Sequence, residues 1–248
     1  MLQLAQRATP ATRLGVRLAS SPDDVRRAQA LRYAVFAEEL GAALPSAHEG
    51  LDRDEYDACC DHLIVEDRHN GLVVGTYRLL PPQQAARLPR LYSEHEFDLS
   101  RLAALKPALL EVGRSCVHAD YRGGAVIALL WGALADYARR HGARYLAGCA
   151  SVGLADGGHL AASVHRRVET AHLSPAEWRV TPRLALPLAD IHTPPALQPM
   201  PPLLRGYLRA GAWVCGEPAW DADFNCADFF VLLPLERLAG RHLRHFGG

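Results

Sequence analysis

The feature that most constrains this chain is a joint near its middle. An extended apolar stretch, Leu109 to His118, runs through Ala119-Asp120-Tyr121-Arg122-Gly123-Gly124 into an apolar segment from Ala125 to Arg140 that stops at Gly142. Strand, glycine turn and helix follow one another there, which predicts an α/β architecture. A helix that opens after such a turn presents unpaired backbone N–H groups and a positive dipole end, and together these bind phosphate. The turn is not a Walker loop, since no lysine or serine follows the glycines, and it lacks the spaced glycines of a dinucleotide fingerprint. A plain tight turn would account for the same residues without any ligand.

Inside that strand, Glu111 and Arg114 are three residues apart, so regular alternation sends them to opposite faces. A bulge at Gly113 would bring both to one side, as an isolated glycine in a strand often does. An ion-paired strand surface is the alternative. Four other charges break apolar patterns in the same way: Arg32 in the first helix, Asp57 and Asp61 before a hairpin, and Arg78 within it. Taken singly, each reads as an ordinary surface residue.

The remaining elements fit one elaborated domain over residues 1–248. Ser21 caps a helix with Pro22 at its first position; Val25, Ala28, Leu31, Val35 and Phe36 recur at helical spacing, and Gly41 ends it. Residues 42–60 read as a polar loop. Strands from His62 to Val65 and Leu72 to Leu80 flank Asn70-Gly71, the strongest short hairpin signal. A loop-rich insertion follows Pro81-Pro82. Arg144 to Ala150 reads as a strand and Leu160 to Val168 as a weaker helix. Residues 181–202 form a proline-rich connector, followed by a short helix at 203–214, a buried strand at 229–233 and a basic terminal helix at 235–246.

Composition narrows the function. Lysine and arginine total 27 and so do aspartate and glutamate, so the whole-molecule field does not draw the chain to nucleic acid, and a charged partner must meet a local patch. Lys106 is the only lysine. Six cysteines without paired zinc spacing predict reduced thiols and a cytoplasmic protein; Cys59-Cys60-Asp61-His62 has no second ligand pair, so no metal site is assigned. The residues before Arg17 lack the apolar core of a signal peptide, and the longest apolar run, Ala125 to Ala135, is well short of the roughly 20 residues a membrane-crossing helix needs. Peripheral contact with a membrane stays open.

Several segments then occur in a familiar order: Cys60-Asp61-His62-Leu63, Gly75-Thr76-Tyr77-Arg78-Leu79-Leu80, Tyr92-Ser93-Glu94 with Phe97-Asp98-Leu99, and Glu111 through His118. Tyr121 through Ile127, Gly206-Tyr207-Leu208, Gly216-Glu217-Pro218-Ala219 and Ala227-Asp228-Phe229 continue the series. With these the chain resembles the bacterial ornithine-acyl carrier protein N-acyltransferases, a hemolysin-like branch of the GNAT family. It is more distantly similar to the acyl-homoserine-lactone synthases.

The resemblance implies a GNAT fold: a mixed, mostly antiparallel sheet flanked by helices, here with an elaborated C-terminal part. It implies transfer of a (3-hydroxy)acyl chain from acyl carrier protein to the α-amino group of ornithine, giving lyso-ornithine lipid. The thioester on phosphopantetheine, from carrier protein or coenzyme A, would be a co-substrate, with no permanently bound cofactor. Glu111, Arg114 and Asp61 would serve the chemistry, with Glu111 as base. Arg32, Phe36, Asp57 and Arg78 would bind the acceptor, Asp57 with Asp61 holding its second ammonium. The donor would lie along Cys116, Val117 and His118, with its phosphate at Arg122, Gly123, Gly124 and Ala125. Arg139, Arg140 and Arg144 are the first choice for docking an acidic carrier protein, with Arg166 and Arg167, or Arg241 and Arg244, as the alternatives. Three other readings are acylation of another amine or amino acid, in the manner of the acyl-homoserine-lactone synthases, a Cys116–His118 nucleophile, and a domain that binds acyl carriers or lipid without turnover.

Overall fold

Asn70-Gly71 does turn the chain back on itself. In the computed structural model, which describes residues 13–191 and 198–238, Gly71 takes a left-handed φ of 72° between two antiparallel strands. In chain order the elements are β1 (Leu14–Leu18), α1 (Pro22–Tyr33), β2 (Asp61–Asp67), β3 (Leu72–Leu80), α2 (Pro82–Ala85), β4 (Phe97–Asp98), β5 (Leu109–Val117) and α3 (Ala125–Arg140). Then follow β6 (Tyr145–Gly153), α4 (His159–Ala171), β7 (Thr181–Pro182), α5 (Pro202–Ala210), β8 (Trp213–Val214), β9 (Ala219–Asp221) and β10 (Cys226–Pro234).

One eight-stranded sheet runs β1-β2-β3-β5-β6-β10-β8, with β9 also on β10, and β4 pairs separately with β7. Every pairing in the large sheet is antiparallel except β5 with β6. The fold is therefore the mixed, mostly antiparallel α/β sheet flanked by helices that the sequence predicts.

Ser21 caps α1 by accepting from the Asp24 N–H at 3.2 Å, and Pro22 opens the helix. The helix does not stay regular to Gly41, because Ala34–Glu39 widens into a π-helical turn. Leu31 and Val35 pack on Ile64, Val73 and Cys116 on one face of the sheet. On the other face α3 lays Val126, Leu130 and Leu134 over Leu63, Val65 and Leu79. Its first turn presses close: a Cβ at Gly75 would lie 2.3 Å from Val126 Cγ1.

The exception in the sheet is also where it opens. β5 and β6 pair only at Leu109, Leu110 and Glu111, opposite Tyr145, Leu146 and Ala147. At the next step a Cβ on Gly148 would sit 2.0 Å from the Val112 carbonyl oxygen, so the strands touch there only because residue 148 has no side chain. Beyond it β5 stays with β3 and β6 with β10, and the sheet opens.

Expectation and structure differ in two places. β1, with five residues at the sheet edge, was not foreseen. The helix expected through Val214 ends at Ala210, where Gly211 at φ 106° frees Trp213–Val214 to pair with β10. The proline-rich stretch begins in extended form, where Thr181–Pro182 pairs with Phe97–Asp98. Of the basic terminal helix only Leu235–Leu238 is described; Arg241, Arg244 and Pro194-Pro195 lie outside the described residues.

Gly148→Ala is expected to lower stability by about 1–3 kcal/mol, as overpacking does. At roughly 2–4 °C per kcal/mol for a chain of this size, a thermal melt reads it directly.

Candidate active site

The bulge in β5 exists, one residue later than Gly113 suggested. Arg78 of β3 faces Gly113 while Thr76 faces Cys116, so β5 carries one residue more than β3 between those pairs. Arg114 absorbs it, at a φ of 49°. A non-glycine residue there stores strain of about 1–3 kcal/mol and persists where its surroundings over-determine it. The change of parity puts Glu111 and Arg114 on the wall of the same cavity, which holds about 340 Å³ in the gap between β5 and β6. Phe36 and Leu40 from the π-helical turn, Arg78, Ser93, Cys149, Asp221, Phe224 and Asp228 line it as well.

What holds Arg114 in place is a layer of paired charges. Its guanidinium lies 4.7 Å from the Tyr92 ring centroid and 4.8 Å from that of Phe224. Its Nε donates to Asp52 at 3.1 Å and Nη2 to Asp54 at 3.4 Å. Asp54 also accepts from Arg78 Nη1 at 2.6 Å, and Asp57 accepts from the same nitrogen at 3.1 Å. Below them Arg32, with 0% of its surface exposed, donates Nε to Asp52 at 2.8 Å and grips Asp57 with both terminal nitrogens at 2.9 and 2.8 Å. Gln29 adds a further bond to Asp57 at 3.0 Å. Burial opposes the charged form of Asp57, but Arg32, with Arg78 behind it, outweighs burial and holds that carboxyl well below its usual range.

Glu111 is bound differently. Its Oε1 accepts from the Ser93 N–H at 2.8 Å and the Ser93 hydroxyl at 2.7 Å, and Oε2 accepts from the Tyr92 N–H at 2.8 Å. Burial raises its pKa and these three donors lower it, with a net rise. A carboxylate oxygen takes two hydrogen bonds, so Oε2 keeps one position open.

Across the gap lies a third group of acids. The oxygens of Glu96 and Asp228 and the Cys149 sulfur all lie within 4.8 Å of one another, and so do the corresponding atoms of Asp221, Cys226 and Asp228. Burial first, then the charge of Asp228, pushes the Glu96 pKa up to about 10.

The expected residues thus divide. Phe36, Arg78, Glu111 and Arg114 meet at the cavity. Arg32 and Asp57 support it from below, saturated by each other, so neither is open to an acceptor. Asp61 belongs elsewhere: it accepts from the Tyr137 hydroxyl at 2.5 Å and ties β2 to α3. Odd positions of β2 (Leu63, Val65) pack under α3 and even ones (Ile64) under α1, which turns Asp61 away from Asp57. Cys116 points under α1, where burial pushes its thiol up to about 12 and leaves no reactive thiolate. His118 instead accepts from the Asp120 N–H at 3.3 Å.

Gly124 at φ 95° precedes α3, whose N-terminus has no side-chain cap. Arg122 donates to the Val117 carbonyl at 3.1 Å and pairs with Glu39 at 2.7 Å. Arg139, Arg140 and Arg144 sit at the opposite end of a sixteen-residue helix, about 24 Å from this turn at 1.5 Å per residue.

Asp52, Asp54, Ser93, Glu96, Cys149, Asp221, Phe224 and Asp228 received no role from the sequence. Asp228 had a readable signal, as the single charge in Cys226–Pro234, every residue of which is buried.

Residues 31–132 match an acetyltransferase (GNAT) domain family. The chain is 40% identical to the L-ornithine N(alpha)-acyltransferase of Rhodobacter capsulatus, over 92% of each protein. It is 37% identical to that of Brucella abortus, over 94% of this chain and 89% of the relative. The chain belongs to the L-ornithine N(alpha)-acyltransferase family. The family's fold extends to the CoA-dependent acyl-homoserine lactone synthase BjaI, at a TM-score of 0.53 and 19% identity over 93% of this chain and 89% of that one. This acyltransferase chain has no described helix long and apolar enough to cross a membrane.

Asp57→Asn leaves Arg32 buried without its full counter-charge, and is expected to cost about 3–5 kcal/mol in a denaturant titration. Because the folded pKa of Asp57 is depressed, its contribution is present above the unfolded value near 4 and is lost as pH falls below it. The acid-unfolding curve of the variant should therefore be shallower than that of the parent below about pH 4.

Proposed function

We propose that this chain transfers a long acyl group from a phosphopantetheine thioester to the α-amino group of ornithine. The observation that carries the reading is membership of a family of that name over nearly the whole chain, joined to a cavity at the parting of β5 and β6. The donor arm enters along Val117 and His118 with its phosphate on the open N–H groups at Gly124 and Ala125. Arg122 exchanges Glu39 for that phosphate. The thioester then reaches the stretch of β5 just beyond Glu111, where the ladder to β6 ends and the backbone can donate to the oxyanion.

Ornithine's carboxylate pairs with nitrogens of Arg78 and Arg114 that the aspartates leave free. Glu111 takes a proton from the α-ammonium at its open Oε2 position. The freed amine attacks the thioester carbonyl, forming the C–N bond. The C–S bond breaks, the thiol leaves with a proton and the amide remains. Catalysis by Cys116 is disfavoured by its buried, protonated thiol. The donor is acyl carrier protein, and the six unpaired cysteines suit the reducing cytoplasm where it is found.

Glu111→Gln should reduce kcat by about 10²–10⁴, the range for a lost general base. It also sets an amide N–H against that of Tyr92 or Ser93, so a stability loss of about 1–3 kcal/mol is expected in a melt. Ser93→Ala loses the hydroxyl bond but keeps the carboxylate, and should retain most of kcat; near-normal turnover by the glutamine variant would remove Glu111 from the mechanism. For the donor, the rate with acyl carrier protein should exceed that with acyl coenzyme A and fall more steeply with salt, since exposed charges are screened over about 8 Å at physiological ionic strength. Equal rates with equal salt dependence would make this a coenzyme A enzyme.

A further inference from the structure

The two groups of carboxylates at this site are in opposite electrostatic states. Asp52, Asp54 and Asp57 are consumed by Arg32, Arg78 and Arg114. Among the described residues, Glu96, Asp221 and Asp228 have no such cation. Asp221 spends one oxygen on the N–H groups of Asp223 and Phe224, both at 3.0 Å. Asp228, only 4% exposed, has the Cys226 thiol at 3.5 Å from Oδ1. Glu96 Oε2 is wholly buried and has no hydrogen-bond partner.

Leaving acids together in this way is costly, because like charges in a poorly solvated site repel and an unpartnered polar atom keeps its desolvation penalty. The free chain answers with a proton: Glu96 stays protonated at neutral pH, and burial raises Asp221 as well. That proton serves a single hydrogen bond, between Glu96 and Asp228, and does no more than neutralise one acid. An ammonium would bring a positive charge and three donors for three carboxylates.

The recess also lies where such a group is needed. Asp221, Cys226 and Asp228 line the cavity that Glu111 and Arg114 line from the other side. Ser93 links the two walls, since its hydroxyl donates to Glu111 at 2.7 Å and lies 3.6 Å from the Cys149 sulfur, which belongs to the recess. An amino acid held at Arg78 and Arg114 by its carboxylate, with its α-nitrogen at Glu111, would extend its side chain across this gap.

We infer that Glu96, Asp221 and Asp228 form the recess that selects the acceptor by a second, side-chain ammonium. This rests on the reading that the acceptor is an amino acid acylated at its α-nitrogen. It moves the task expected of Asp57 and Asp61 to the far wall. Cys149 and Cys226 supply soft, uncharged edges to the recess, and burial keeps their thiols protonated.

The experiment compares ornithine with norvaline, which has the same carbon chain without the terminal amine, as acceptors for one acyl thioester. The parent protein should favour ornithine by at least tenfold in kcat/KM. Asp228→Asn should reduce that ratio by at least tenfold, chiefly through the KM for ornithine. Asp221→Asn reports on the same recess from β9 and serves if the first variant does not fold. A thermal shift by ornithine that norvaline does not give, lost in either variant, would support the recess independently of turnover. An unchanged ornithine-to-norvaline ratio in folded variants would overturn the inference while leaving ornithine acylation intact. A parent protein that acylates neither amino acid would instead sink the functional reading beneath it. One equivalent of zinc in the purified protein, lost in Asp228→Asn, would also overturn the inference by giving these acids a metal to hold.

Discussion

Parallel strands ordinarily satisfy their backbone groups along their whole shared length, and β5 and β6 do so for three residue pairs. The contact between the Val112 carbonyl and Gly148 marks the last point at which they touch, and the bulge at Arg114 then bends β5 with β3. An open ladder inside a sheet leaves backbone donors and acceptors without partners, a cost that a folded protein bears where a ligand will meet them. The cavity and the common face of Glu111 and Arg114 follow from that parting, and the proposed entry for a thioester rests on it. A fully paired β5–β6 ladder would leave a sound sheet with no room for chemistry.

Strain at Arg114 is sustained by its neighbours. Two aromatic rings and two aspartates hold the guanidinium, and those aspartates are held in turn by Arg32 and Arg78. Charges this deeply buried are seldom a net source of stability compared with apolar packing, though breaking one partner is expensive. Their use here is positional: they fix one arginine, in an unfavourable backbone conformation, against the cavity. Among the described residues the acids on the opposite wall have no counterpart of Arg32. One wall of the cavity is thus charge-paired and the other is not.

The sequence carried the scaffold well because its signals are local. Ser21-Pro22, Asn70-Gly71 and the Gly123-Gly124 joint each specify geometry within a few residues, and the hairpin and α3 formed where those signals put them. β1 was missed because five residues at an edge owe their strand to pairing with β2 rather than to their own pattern. Within the site, Glu111 and Arg114 were legible as charges in an apolar strand, and only the bulge position was off by one residue. Asp61 was misjudged because strand parity, which places it under α3, depends on which helix covers which face. Glu96, Asp221 and Asp228 come together from three separate segments, and no spacing along the chain announces that. Asp228 alone gave notice, as an acid inside an unbroken apolar run.

Gly75 sits between the two ends of the proposed donor path. With no side chain it lets the first turn of α3 rest against β3, three residues from Arg78, and β5 covers the same stretch from Val117 back to Gly113. Three steps of β3, with the extra residue of β5 taken up by its bulge, span roughly 10 Å at about 3.3 Å each. On the donor path proposed above, the separation between the phosphate and the thioester is therefore fixed by strand geometry, as on a ruler. Such a ruler measures the arm between phosphate and sulfur, and it is indifferent to the size of whatever body hangs on the far side of the phosphate.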